Sequence, residues 1–419
     1  MMKAQSAVPL LNKRDLLRLC STLVMAAGLA ACGGGDDPVN RVATWTASQS
    51  DLNEDVSVFG FFPPDPLNFT DQTLRQIVRI AVDGKNPKFK FSNRYGSSPL
   101  TIDGVHVARS SGGGAIDTAT DKSILFNGAS SITIPAGKEV WSDSVEMVVP
   151  KQTTLAVSLY IKNARIATAH RFSNTTTYAG AGNQLSIGAM SGVLANARAS
   201  SYSPPATSYF LSEISVERNV PTKVVVAFGD SITDGFGSTL DSYLDYPSQL
   251  ANRALAANMN LSVVNSGLGG NRWLNDRFGE KGVTRFAKDV LDITGVTDVI
   301  ILLGTNDFGN GAAFGQVVTA DQVIQGMQTA IQQAKAKGVK VYLATIMPRG
   351  STGENEEKRQ AVNAWIRNNK DVAGIVDFDK AMGDSSDPLR MPSAWTADGL
   401  HPNDMGYAKM AEAVDITKF

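Results

Sequence analysis

The chain has 419 residues, 43% of them apolar and 19% charged, ordinary proportions for a globular protein with room for two full cores. Its 39 basic and 40 acidic side chains leave a formal net charge of −1, and no Lys/Arg cluster with interleaved aromatics occurs, which argues against nucleic acid as a partner. Three histidines, two cysteines and no ligand spacing argue against a metal centre, and no cofactor is expected.

In chain order, residues 1–32 read as an export signal. Lys13, Arg14 and Arg18 form a positive opening, and "LCSTLVMAAGLAA" (Leu19 to Ala31) an apolar run shorter than the roughly 20 residues a bilayer span needs. The ending "LAAC" (Leu29 to Cys32) resembles a bacterial lipobox, which implies that Cys32 is lipidated and becomes the new N-terminus; the alternative is a plain signal peptide with an incidental cysteine. Residues 33–40, opening "GGGDDP", then serve as a flexible tether. Because Gly33 rather than Asp follows Cys32, the lipobox resemblance implies the outer membrane of a Gram-negative cell, on its periplasmic or its surface face. Cys20 leaves with the signal, so no disulfide is expected in the mature chain. The mature chain keeps 35 basic and 39 acidic side chains, so charge does not draw it to an anionic membrane.

Residues 41–218 read as β throughout. "QIVRIAVDG", "PKFKFSNRYG", "SITIPAGKEV", "SVEMVVP" and "TLAVSLYIKN" are short alternating or β-branched runs between Gly, Pro, Asn and Asp signals. That pattern predicts an all-β sandwich or jelly roll. "FGFFPPDPLNF" (Phe59 to Phe69) is either core and edge packing, or an aromatic wall over a cleft or a sugar-stacking surface.

From residue 222 to 419 the period changes. Apolar strands "KVVVAFG", "LSVVNSG", "DVIILLG", "KVYLATI" and "AGIVDFD" alternate with "YPSQLANRALAA", "VTRFAKDVLDI", "ADQVIQGMQTAIQQAKAKG", "ENEEKRQAVNAWIRNN" and "GYAKMAEAVD", which read as helices. This α/β alternation predicts a five-stranded parallel sheet covered on both faces. Ligands in such sheets gather at the carboxyl ends of the strands. Gly229-Asp230-Ser231, "NSGLGGNR" (Asn265 to Arg272), "GTNDFG" (Gly304 to Gly309) and "DGLHPN" (Asp398 to Asn403) all fall there.

A serine hydroxyl needs an imidazole to become nucleophilic, and His401 is the sole histidine of this half, since His106 and His170 lie in the β half. Asp398, three residues earlier, is near enough to orient the ring. Taken alone, "HPN" reads as well as a helix start capped by Asn403 or Asp404.

The four blocks together, in this order, resemble the SGNH (GDSL-type) hydrolases over the whole α/β half. "RVATWTASQ", "LRQIVR" and "SNRYGSSPLTIDGV" resemble the accessory domain of a secreted subgroup. The resemblance implies a flavodoxin-like three-layer α/β/α domain. In it Ser231 is the nucleophile, His401 the general base and then acid, and Asp398 its orienting partner. The oxyanion hole is formed by the backbone N–H of Ser231, the backbone N–H of Gly270 and the side-chain amide of Asn306. Fixed donors of this kind stabilise the charge of a tetrahedral intermediate. Two other motifs fail: Thr233 stands where an α/β-hydrolase elbow needs its second glycine, and Arg272 where a dinucleotide loop needs Gly.

Asp230 either touches substrate or binds neighbouring backbone, and Asp307 reads as holding the loop behind Asn306. Arg272 either meets a substrate hydroxyl or carboxylate or pairs with Asp276 or Asp307. The expected function is an extracytoplasmic serine esterase acting on short-chain acyl esters, acetyl on carbohydrate first. A lipase, thioesterase or polyester-type acyl hydrolase is the alternative, and an inactive glycan-binding surface protein a third reading.

Overall fold

The computed structural model describes residues 40–54, 68–194, 207–309 and 315–419. The signal, the lipobox Cys32 and all of the tether but Asn40 lie outside the described residues, as does the aromatic loop up to residue 67; its last member, Phe69, is buried. Asn40–Phe419 is one compact unit.

The N-terminal part is β-rich. One antiparallel sheet runs β1 (Asn40–Thr46), β9 (Leu211–Arg218), β3 (Gly84–Ser92) and β5 (Glu139–Trp141). A second runs β8 (Thr177–Ala181), β2 (Asn68–Arg79), β6 (Thr154–Arg165) and β4 (Gly104–Gly112). Phe89, Phe91 and Ile214 of the first share one core with Leu74, Val78, Val107 and Leu159 of the second, the packing of a sandwich. β7 (Thr168–Arg171) lies outside both sheets, between two short strands. Of the runs read as strands, "SVEMVVP" keeps only Val148–Val149 and "QIVRIAVDG" leaves the sheet at Arg79. The segment after Arg79 turns toward the other half, where Val82 joins the α/β core.

The α/β part holds β10 (Lys223–Gly229), β11 (Leu261–Gly267), β12 (Asp298–Leu302), β13 (Lys340–Ala344) and β14 (Gly374–Val376), all parallel, in the order β11-β10-β12-β13-β14. This is the flavodoxin-like order, 2-1-3-4-5 in the numbering of the five strands. Helices α1 (Ser231–Asp234), α2 (Tyr246–Ala256), α3 (Gly282–Phe286), α4 (Thr305–Gly309), α5 (Ala320–Ala336), α6 (Glu354–Asn368), α7 (Phe378–Met382) and α8 (Asp404–Ala413) make the outer layers. Val224, Val226 and Phe228 face the core under α5 and α6, while Val225 and Ala227 face the core under α2 and α8. Burial on both faces is why β10 reads as unbroken apolar sequence.

One predicted helix differs. "VTRFAKDVLDI" makes α3 and then a π turn over Ala287–Leu291. The two halves also share a seam: the Ala43 N–H donates to Thr294 O at 2.8 Å and the Ser262 hydroxyl to Ala43 O at 2.7 Å. Val42, Ala43 and Val216 of the β part pack into the same core as Val226 and Phe286.

Candidate active site

The chain leaves β10 to cross to β11 on one side, and from β11 it returns past β10 to β12 on the other. The carboxyl end of β10 is therefore the switch point of the sheet, where a crevice opens. Gly229 closes the strand there. Its φ is not positive, so the glycine is needed for closeness: a Cβ would collide with Thr233 Oγ1 and the Leu302 carbonyl. Asp230 is the N-cap of α1, its carboxylate accepting from the Ile232 N–H at 3.0 Å, which is the backbone-binding alternative of its two readings. Burial pushes its carboxyl up to about 7, against the opposing pull of the Ile232 N–H and the nearby His401. Ser231 follows as the first residue of α1, its hydroxyl 2.9 Å from His401 Nε2.

His401 sits in the loop before α8. Its Nδ1 lies 2.7 Å from Asp398 Oδ2, while Asp398 Oδ1 accepts the N–H groups of Leu400 (2.9 Å) and His401 (2.7 Å). Burial alone would raise the Asp398 carboxyl, but these bonds to His401 and Leu400 outweigh it and hold the group well below the usual carboxylate range. A carboxylate can only accept, so Nδ1 carries the ring hydrogen and Nε2 offers its lone pair to the Ser231 hydroxyl. The capping reading of "HPN" holds as well: Asn403 accepts from Met405 N and Gly406 N, both at 3.1 Å. Asp404 instead binds Thr239 N at 2.8 Å, tying α8 to the segment after α1.

Gly270 lies in the turn after β11 with φ +75°, and a Cβ there would be 2.6 Å from Phe278 Cγ, so conformation and space both require glycine. Among the described residues, the N–H groups of Ser231 and Gly270 take no part in the backbone hydrogen bonds of the loops and turns around them. The Asn306 amide donates to Asn271 O at 3.1 Å, which places it beside the same turn. Arg349 steadies the neighbouring residue, donating to Thr305 O at 2.9 Å. Asp307 accepts the Trp273 N–H at 2.9 Å, which ties the loop at Trp273 to the helical turn that carries Asn306, and burial pushes its carboxyl up to about 7. Arg272 is buried and donates to Gln316 Oε1 at 2.7 Å and to the Asp276 backbone carbonyl rather than to its carboxylate.

Four features are not visible in the sequence pattern. The Phe236 ring packs on the His401 imidazole, with centroids 4.5 Å apart. Arg285 is fully enclosed and gathers the site's framework: it donates to Gly229 O, Ser266 O (3.0 Å), Asn271 Oδ1 (2.8 Å) and Asp289 Oδ2 (3.0 Å), over the Phe228 ring. Arg94, in the "SNRYG" motif of the β half, pairs with Glu280 and with Asp289 Oδ1 at 3.1 Å. His170, set aside as belonging to the other half, reaches Asp234 of α1 at 3.0 Å. The resemblance of "SNRYG" to an accessory domain was the one available signal, and it named no partner. Among the described residues no group of three or more His, Cys, Asp or Glu is arranged to hold a metal ion.

Residues 227–409 match the model of the GDSL-like Lipase/Acylhydrolase family. The chain is 27% identical over 219 residues to the acetylxylan esterase of Xylanibacter ruminicola, an alignment covering 45% of this chain and 42% of that protein. The match thus spans less than half of that relative. Among solved structures, an acetyl xylan esterase, AlAXEase, is 24% identical, with 45% of this chain and 96% of that one covered and a TM-score of 0.38. A GDSL-like lipase from Bacteroides thetaiotaomicron is 21% identical, with 47% and 87% covered and a TM-score of 0.36.

Proposed function

With an α/β half that matches the GDSL-like lipase/acylhydrolase model as premise, we propose that the protein is a serine esterase that removes acetyl groups from carbohydrate outside the cytoplasm. The observation that carries the reading is the hydrogen-bonded chain Ser231–His401–Asp398, with steps of 2.9 and 2.7 Å, at the switch point of the sheet. Ser231 Oγ attacks the ester carbonyl while its proton passes to His401 Nε2. The carbonyl oxygen becomes an oxyanion, received by Ser231 N–H, Gly270 N–H and the Asn306 amide. Collapse expels the alcohol, which takes the proton from Nε2 and leaves an acyl group on Ser231. Water, giving its proton to the same nitrogen, then attacks the acyl carbon; the bond to Ser231 Oγ breaks, Oγ takes the proton back from Nε2, and the acid leaves. Asp398 keeps Nδ1 protonated and stabilises the imidazolium that forms in each step.

The acetyl and carbohydrate parts draw support from the alignment with an acetylxylan esterase. The export part, with Cys32 lipidated in the outer membrane, draws support from the positive opening and apolar run of residues 1–32 and their ending "LAAC". The test is hydrolysis of aryl esters of two to twelve acyl carbons and acetate release from acetylated xylan, for the native protein and its Ser231→Ala and His401→Ala variants. Loss in both variants, with acetyl preferred and acetate released, is the expected result. Rates that rise with chain length instead favour the lipase, thioesterase or polyester reading. No turnover, with glycan retained by the protein, favours the binding-protein reading. A Cys32→Ser variant that stays membrane-bound and unlipidated removes the anchor.

A further inference from the structure

One of the segments by which the β half reaches the catalytic centre is residues 170–174, at the end of β7. His170 is buried there, and both ring nitrogens face oxygens that only accept. Nδ1 lies 2.7 Å from the Ser48 carbonyl and Nε2 lies 3.0 Å from Asp234 Oδ1. The other Asp234 oxygen, Oδ2, accepts the Gly269 N–H at 3.0 Å. Gly269 precedes Gly270, and Asp234 is the last residue of the helical turn that Ser231 begins. One carboxylate therefore ties the nucleophile's turn to the loop that carries the second oxyanion donor.

On this basis we propose that His170 is a positioning residue of the esterase site. As an imidazolium paired with Asp234, it fixes the spacing between the N–H groups of Ser231 and Gly270, so that the β half completes the catalytic machinery. The proposal rests on the reading of Gly270 as an oxyanion donor. The ring must be doubly protonated to serve two acceptors, since a neutral imidazole has one N–H. Burial on its own would push the His170 proton off, but the Asp234 carboxylate and the Ser48 carbonyl outweigh both burial and the repulsion of Arg285, the other charge near the ring. The cation in turn offsets the cost of burying the Asp234 carboxylate, whose side chain is 3% exposed, and charge-assisted bonds of this kind hold the Gly269 N–H more firmly than neutral ones.

Two neighbours extend the same support. Phe172 packs edge-on against Phe236 at 6.0 Å, the ring that lies on His401, and a Cβ on Gly269 would be 2.6 Å from the Phe172 ring. The Asn174 amide donates to the Asp234 carbonyl at 3.1 Å. The segment thus touches the oxyanion loop on one side and the support of the base on the other.

The test compares kcat and KM on p-nitrophenyl acetate, with thermal melts, for the native protein and four variants, beside Ser231→Ala. A glutamine amide at 170 stands near Nε2 and still donates to Asp234, whereas an asparagine amide stands near Nδ1 and donates only to Ser48. His170→Gln is expected to keep kcat within about fivefold of native, and His170→Asn to lose about 10- to 100-fold in kcat with KM within about threefold. Asp234→Asn, which can donate to a neutral His170 and still accept from Gly269, is expected to outperform Asp234→Ala by at least about tenfold in kcat. A β half that acts only as a scaffold gives the opposite result: Asn at 170 equal to or better than Gln, or losses that follow the melting temperature alone. Either of those overturns the proposal, as does native kcat in both His170 variants beside an inert Ser231→Ala. Hydrolysis that survives Ser231→Ala overturns the reading of the site itself, and the proposal with it.

Discussion

Replacing Gly270 by alanine separates catalysis from stability. The residue has φ +75°, where an L side chain costs about 1–2 kcal/mol, so the melting temperature should fall by only about 2–8 °C. The added Cβ would stand 2.6 Å from Phe278 Cγ. An ordinary carbon–carbon contact needs about 3.5 Å, so the loop or the ring must give by roughly 1 Å. A shift of that size at a reacting group costs about 10²-fold, and complete loss of one oxyanion donor about 10²–10³-fold, or about 2.7–4 kcal/mol. The expected outcome for Gly270→Ala is therefore a kcat on p-nitrophenyl acetate lowered about 100-fold, with KM within about threefold and a cooperative melt. A folded variant with kcat within threefold of native would mean that the Gly270 N–H does not meet the oxyanion.

Asp307 is held protonated toward neutral pH by burial, so the folded state binds a proton that the unfolded state releases at lower pH, and its contribution to stability is lost as pH rises from about 4 to 7. Asp307→Asn keeps an acceptor for the Trp273 N–H without that cost; its melting temperature relative to native should rise between pH 5 and pH 8, and a constant difference would refute the assignment. Arg285→Met removes donors to Gly229 O, Ser266 O and Asn271 and should cost about 3 kcal/mol or more in urea denaturation; a loss under 1 kcal/mol would show that the framework holds without it. Phe236→Ala takes the ring off His401 and should lower kcat about tenfold, with the melt little changed; an unaltered kcat would mean that Asp398 alone orients the imidazole.

The sequence by itself determined most of the α/β half. Strands buried on both faces are written as apolar runs such as Val224 to Phe228, and a parallel sheet sends its small and polar residues to one rim. That is why Ser231, Gly270, Asn306, Asp398 and His401 stand out in the sequence as candidates. The fold brings Ser231, His401 and Asp398 into one hydrogen-bonded chain and gives Gly270 a left-handed backbone. Asp398 and His401 are three residues apart, so their pairing is a local matter that spacing can reveal. Only the tertiary structure decided the partners drawn from far along the chain. His170 meets Asp234 across 64 residues and Arg94 meets Asp289 across 195, and nothing in the local pattern around a lone histidine or arginine records a partner at that range. Gly229 shows the same limit within a motif. Its place before Asp230 and Ser231 was plain, but the reason for glycine, the nearness of the Leu302 carbonyl on the next strand, exists only once β10 and β12 lie side by side.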